Sequence, residues 1–181
     1  MKILQIKGNE TFIQEEIKAG KIFIYPTDTL YGLGCDATNE EAVQKIRKIK
    51  NRDEKPFLII APNLDWIKTN CEFNHKEELN KLPGPYSFIV KPKPNIVAKS
   101  VLANKTTLGV RIPNSEFTQF LIKPFVSTSV NMAGEPSAIN LEEIPQEIKF
   151  QVDYILTTTK PLLGKPSTII DLTQEKPIQL R

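Results

Sequence analysis

Apolar residues in this chain fall into short runs separated by amphipathic stretches. Phe23-Ile24-Tyr25, Phe57-Leu58-Ile59-Ile60, Phe88-Ile89-Val90, Gly109-Val110-Arg111-Ile112, Phe125-Val126-Ser127, Tyr154-Ile155-Leu156, Thr168-Ile169-Ile170 and Pro177–Leu180 predict strands. They are rich in β-branched and aromatic residues and bounded by turn formers. Helical spacing falls between them. Residues 12–19 carry apolar side chains at 12, 13 and 17, with Gly20 at the left-handed C′ position. Residues 40–50 begin with a capping-box pattern, Thr38-Asn39-Glu40-Glu41, and end in Lys45, Arg47, Lys48 and Lys50, acid first and base last as the helix dipole prefers. Shorter helices are expected over 64–70, 76–82, 116–122 and 141–148, the last interrupted at Pro145. Strands alternating with helices predict an α/β fold: a single-domain twisted mixed sheet flanked by helices. No linker or internal repeat divides the chain, so residues 1–181 are expected to form one domain.

Composition removes several classes of chemistry. The 181 residues are 40% hydrophobic and 25% charged, ordinary for a globular protein and enough to bury a core without staples. Two cysteines, Cys35 and Cys71, make no disulfide framework, and His75 is the only histidine, so multi-histidine metal sites are excluded and no protein-bound metal is expected. Lys7 interrupts what would be a signal peptide's apolar core, and no apolar run spans a bilayer. The expected compartment is the cytoplasm, with no membrane partner. A net charge of +3 says little, but its distribution says more. No acid stands between Glu78 and Glu116, while Lys81, Lys91, Lys93, Lys99, Lys105 and Arg111 do, which suits a phosphate-bearing partner.

Five segments carry candidate chemistry. Tyr25–Ala37 places Thr27, Asp28, Thr29, Gly32 and Gly34 after a strand, where open α/β sheets bind ligands. Lys50-Asn51-Arg52 ends a helix, with Lys55 just beyond; the dipole explains Lys50 but not Arg52, whose fork suits phosphate. Arg111 lies in an apolar strand and must meet an anion, either a structural carboxylate or a ligand's. Ser127–Ser137 ends a strand in small hydroxyl and amide side chains that suit a polar pocket floor, and Ser167-Thr168 repeats the theme. No GxxxxGK[ST] loop is present, so a nucleotide would be held by other cations. Lys91–Thr107, rich in Pro and Lys, is the candidate lid.

In order, and over nearly the whole chain, these segments resemble the YrdC family, the single-domain threonylcarbamoyl-AMP synthases. Tyr25–Ala37 is similar to the family's YPT[DE]TxYGLGxDA signature, Lys50-Asn51-Arg52 to its KxR motif and Ser129-Val130-Asn131 to its SxN motif. Pro83-Gly84-Pro85, Val110-Arg111-Ile112-Pro113, Ser167–Asp171 and Leu180-Arg181 follow in family order. The chain departs from the pattern at Asp53, where a proline is usual, at Ile60, where many members carry a histidine, and at Ser87, where a threonine is expected. The resemblance implies a YrdC-like sheet around a concave basic cavity. It implies that L-threonine, bicarbonate or CO2, and ATP give threonylcarbamoyl-AMP and pyrophosphate, for modification of the tRNA adenosine next to the anticodon. It assigns threonine to Thr29, Arg111, Ser129 and Ser167. ATP falls to Lys50, Arg52, Lys55, Thr107, Asn131 and Arg181, with Lys50 and Arg52 catalytic and Mg2+ accompanying the nucleotide. Partners implied are tRNA or the proteins that transfer the threonylcarbamoyl group. The competing expectations are a double-stranded RNA- or tRNA-binding module of the same fold, and a paralogue that binds or hydrolyses the adenylate.

Overall fold

The computed structural model describes residues 1–52, 55–132 and 135–181. Eleven strands occur among them: β1 (Lys2–Gln5), β2 (Phe23–Pro26), β3 (Tyr31–Gly34), β4 (Leu58–Ile60), β5 (Cys71–Glu72), β6 (Tyr86–Pro92), β7 (Leu108–Arg111), β8 (Phe125–Ser129), β9 (Tyr154–Thr157), β10 (Thr168–Asp171) and β11 (Ile178–Gln179). They join in the order β1-β9-β2-β3-β8-β4-β7-β6-β10-β11, with β5 paired to β6 off this path. The sheet is mixed: β1·β9, β2·β9, β4·β7 and β6·β10 are parallel and the remaining pairs antiparallel. The helices are α1 (Glu10–Lys18), α2 (Glu40–Lys50), α3 (Leu64–Asn70), α4 (Lys99–Leu102) and α5 (Gln146–Lys149).

The two-residue side-chain period of the strands divides the molecule. One parity (Ile24, Leu33, Ile59, Phe88, Val110, Val126, Ile155, Ile170) packs with Ala42, Val43 and Ile46 of α2 and Ile67 of α3 into the larger core. The other parity does two things. Phe23, Tyr25, Ile60, Phe125, Tyr154 and Leu156 pack with Ile13 and Ile17 of α1 and with Phe117 into a second, aromatic core. Farther along the same face the side chains shrink or turn polar: Gly32, Gly109, Ser127, Ser129 and Ser167. There the face lines a cavity instead of a core.

Several local expectations change. Residues 76–82 and 116–122 form 3₁₀ turns, Lys76–Lys81 and Phe117–Phe120, and only Gln146–Lys149 of the 141–148 stretch is helical, entered from Pro145. The N-cap of α2 is Asn39, whose side chain accepts from Ala42 N–H at 3.0 Å. Thr38 instead bonds Asp36. The 91–107 segment, the candidate lid, is tied to its neighbours at its centre: Ala98 N–H bonds Ala37 O (2.8 Å), Val101 O accepts from Phe57 N–H (2.9 Å), and Val101 is buried. No helix among the described residues is long and apolar enough to cross a membrane.

Candidate active site

A cavity of about 370 Å³ opens on the small-residue half of the sheet, within the range of small-ligand sites. Its floor follows the strand register. Leu58 lies beside Gly109 on one side and Ser127 on the other, and Gly109 faces Ile89 on β6. A Cβ on Gly109 would strike the Leu58 side chain and lie 3.5 Å from Ile89 Cδ1, so glycine there keeps the floor flat. Around it stand the hydroxyls of Thr27, Thr29, Thr107, Thr128, Ser129 and Ser167.

Three arginines from distant positions reach this cavity: Arg52 after α2, Arg111 at the end of β7, and Arg181 after β11. No Asp or Glu lines it among the described residues. Arg111 has a structural carboxylate: Nη2 donates to Asp28 Oδ1 (2.7 Å) and to Thr29 Oγ1 (3.2 Å), and both side chains of the ion pair are less than a tenth exposed. Asp28 also accepts from Asn114 N–H at 3.1 Å, which pins the β2–β3 turn to the segment after β7. Burial pulls the Arg111 guanidinium below its ordinary value; Asp28 opposes that, and the positive charge of Arg181 adds to it. Arginine nonetheless stays protonated. Its Nε is buried without a partner, as is Arg52 Nε.

Arg52 is held by packing as well as by bonds. Nη2 donates to Pro56 O (2.7 Å) and Nη1 to Thr128 Oγ1 (3.3 Å), while the guanidinium lies 5.2 Å from the Phe57 ring centroid and Arg47 sits 4.7 Å from that same ring. One aromatic ring thus supports two guanidiniums. Burial, then the charge of Arg47, lowers Arg52. Arg181 Nε donates to Ser167 O (3.1 Å), and the Ser167 hydroxyl shares a 2.8 Å bond with buried Ser87 beneath the floor.

The profile of the Sua5/YciO/YrdC family, described as "Telomere recombination", matches residues 15–181. The chain belongs to this family. It is 39% identical over 175 residues to a Methanocaldococcus jannaschii protein named "Putative threonylcarbamoyl-AMP synthase", covering 94% of this chain and 83% of that protein. Pyrococcus abyssi Sua5 complexed with L-threonine superposes with a TM-score of 0.87 at 26% identity, covering 99% of this chain but 56% of that one. Escherichia coli YciO superposes at 0.83 with 30% identity, covering 99% and 92%.

Seven residues that the sequence nominates line the cavity of this Sua5/YciO/YrdC chain: Thr29, Arg52, Thr107, Arg111, Ser129, Ser167 and Arg181. Three do not. Lys55 is exposed, its carbonyl turned toward Arg47. Lys50, half-buried at the end of α2, sits beside the lining residue Ser129, its ammonium donating to Ser129 O (3.0 Å), Asn131 O (2.5 Å) and Asn131 Oδ1 (2.9 Å), so that Asn131 is held in that contact. Burial, with help from the Arg52 charge, pushes Lys50 down to about 8. Ile60, at the position where many members carry histidine, is wholly buried in the aromatic core. Asp53 lies outside the described residues. Sequence reasoning missed the pairing of Asp28 with Arg111, although Asp28 sits one residue from Thr29. It also missed Phe57, whose apolar run reads only as core.

Proposed function

We propose that this chain is a threonylcarbamoyl-AMP synthase. The amine of L-threonine attacks the carbon of CO2, drawn from bicarbonate, and loses a proton to give a carbamate. A carbamate oxygen then attacks the α-phosphorus of ATP, and pyrophosphate leaves with the bond electrons. No protein nucleophile is needed, so the protein contributes position and charge. The observation that carries the reading is the convergence of Arg52, Arg111 and Arg181 with a ring of hydroxyls on one cavity that no Asp or Glu lines among the described residues, in the fold of this family. In this reading Arg111, Thr29, Ser129 and Ser167 hold threonine, while Arg52, Thr107 and Arg181 face the phosphates. Mg2+ would accompany the nucleotide and offset the charge of its phosphates. The product would pass, in the cytoplasm, to the proteins that modify tRNA.

The test is pyrophosphate release from ATP and bicarbonate, with and without L-threonine. Threonine-dependent release is expected. Threonine-independent phosphate release would replace the synthase with an adenylate- or ATP-hydrolysing paralogue. RNA binding that collapses with salt, with no threonine-dependent turnover, would replace it with a binding module. L-serine differs by one methyl group, so it should be used with kcat/KM about 10- to 200-fold lower.

A further inference from the structure

Arg47, in the last turn of α2, is only 6% exposed and does not line the cavity. Three main-chain carbonyls converge on its guanidinium. Nε and Nη2 donate to Ser100 O, the former at 2.8 Å, Nη1 donates to Arg52 O, and both Nη1 and Nη2 reach Lys55 O at 3.3 Å. Its own carbonyl accepts from Arg52 N–H at 3.1 Å. One residue therefore meets both polar groups of the Arg52 main chain, just after Asn51 closes α2 in the left-handed region at φ 45°. The far anchor is itself held: Glu40 accepts from Ser100 N–H (3.3 Å) and from the Ser100 hydroxyl, and Gln44 donates to that hydroxyl.

Such a grip needs a planar fork. An ammonium is a point charge with three donors on one atom, and it cannot span carbonyls from three residues in this way. Arg47 also shares the Phe57 ring with Arg52, at 4.7 and 5.2 Å, and like charges so close repel. The carbonyl oxygens gathered around Arg47 keep it in place against that repulsion, so the Arg52 side chain sets out for the cavity from a fixed origin. We infer that Arg47 is a positioning residue: it sets where the Arg52 guanidinium stands without touching the ligand. The inference rests on the reading that Arg52 faces the phosphates of ATP, and adds the residue outside the cavity that holds it there.

Two measurements test it. The first needs no substrate: a proton–nitrogen correlation spectrum of the arginine Nε–H groups. Arg52 Nε is buried, so its signal, assigned by its loss in Arg52→Lys, should exchange slowly with water. In Arg47→Met and Arg47→Lys, each checked for folding by circular dichroism, it should exchange at the rate of exposed arginines. The second is calorimetric binding of inorganic tripolyphosphate and, separately, of L-threonine. Both variants should bind tripolyphosphate about tenfold or more weakly, the size of one charge-assisted contact, and hold L-threonine within about twofold of the parent. Val101→Ala, which trims the buried face of α4 and leaves these contacts in place, is the destabilised control and should change neither affinity. If only one Arg47 variant folds, it carries the same expectations. Unchanged tripolyphosphate affinity in Arg47→Met, its recovery in Arg47→Lys (charge without the fork), its loss in Val101→Ala, or equal loss of both ligands overturns the inference. An intact chain that fails to bind tripolyphosphate sinks the reading of Arg52 as a phosphate contact. The Nε–H signal alone then decides what Arg47 does: slow exchange that ends with the Arg47 substitutions upholds its positioning role, and slow exchange that survives them removes it.

Discussion

Asp28→Asn isolates the ion pair that keeps Arg111 in a strand. The substitution preserves shape and one acceptor but removes the charge opposite a guanidinium whose side chain is only 7% exposed. Two unit charges about 4 Å apart attract by about 4 kcal/mol at an effective dielectric of 20. Removing one partner of a buried pair costs about 3–5 kcal/mol, because the survivor keeps its desolvation penalty. The amide oxygen can still accept from Arg111, recovering about 1 kcal/mol. The expected loss is therefore about 3 kcal/mol in urea unfolding at pH 7, or about 6–12 °C in Tm for a chain of this size. Removing both charges, in Asp28→Asn with Arg111→Met, should restore part of it. L-threonine, if its carboxylate takes the vacated place, should raise the Tm of Asp28→Asn more than that of the parent. A loss below about 1 kcal/mol would mean that water, not Asp28, neutralises Arg111, and the account of how a cation survives in β7 would be wrong.

Other consequences can be checked directly. The folded-state value of Lys50, about 8, lies below its ordinary 10.5, so between those limits the unfolded chain holds a proton the folded chain lacks, and this group's contribution to stability rises with pH. The buried thiol of Cys71, pushed up to about 11, works in the opposite sense, so the quantity to follow is the stability of the parent minus that of Lys50→Met. That difference should grow from pH 7.5 to 9.5 in urea titrations; a flat difference would show that Lys50 is not desolvated. Gly34→Ala would drive its Cβ into the Val126 carbonyl, a backbone atom that cannot swing away, and should cost at least about 1–3 kcal/mol by thermal melt. Arg52→Ala should cut threonine-dependent pyrophosphate release about tenfold or more. Phe57→Leu, which removes the ring under Arg52, should reproduce part of that loss with CO2 and threonine saturating.

Periodicity located the sheet well because each central strand has one face committed to a core. Leu58–Ile60, Tyr86–Pro92 and Phe125–Ser129 all contain or overlap their predicted runs. Strands whose residue types hide their pattern were illegible. Tyr31–Gly34 reads as a loop because two of its four residues are glycines, and Lys2–Gln5 lies on an edge with mostly exposed side chains. Helix length was overestimated in short stretches without a side-chain N-cap: Glu40–Lys50, with its Asn39 cap, extends as expected, whereas residues 116–122 close only a 3₁₀ turn. The cations were legible as types at positions, and Arg111 was recognisable as needing an anion. What could not be read was which anion, since Asp28 lies 83 residues away and only the β3·β8·β4·β7 order brings it near. Lys50 shows the same limit: its charge is visible in the sequence, but whether its protons go to a ligand or to Ser129 and Asn131 is decided by tertiary packing.

Because alternate residues of a single strand serve opposite masters here, the polar lining also acts as a proofreader of assembly. Sliding β7 by one position against β4 would push Arg111 and its charge into the greasy layer beneath the sheet and lift Val110 into the hollow. Slipped pairings are thus penalised by the same groups that equip the finished molecule. Versions of this chain stripped of those groups should be more prone to trapped, mispaired states during refolding.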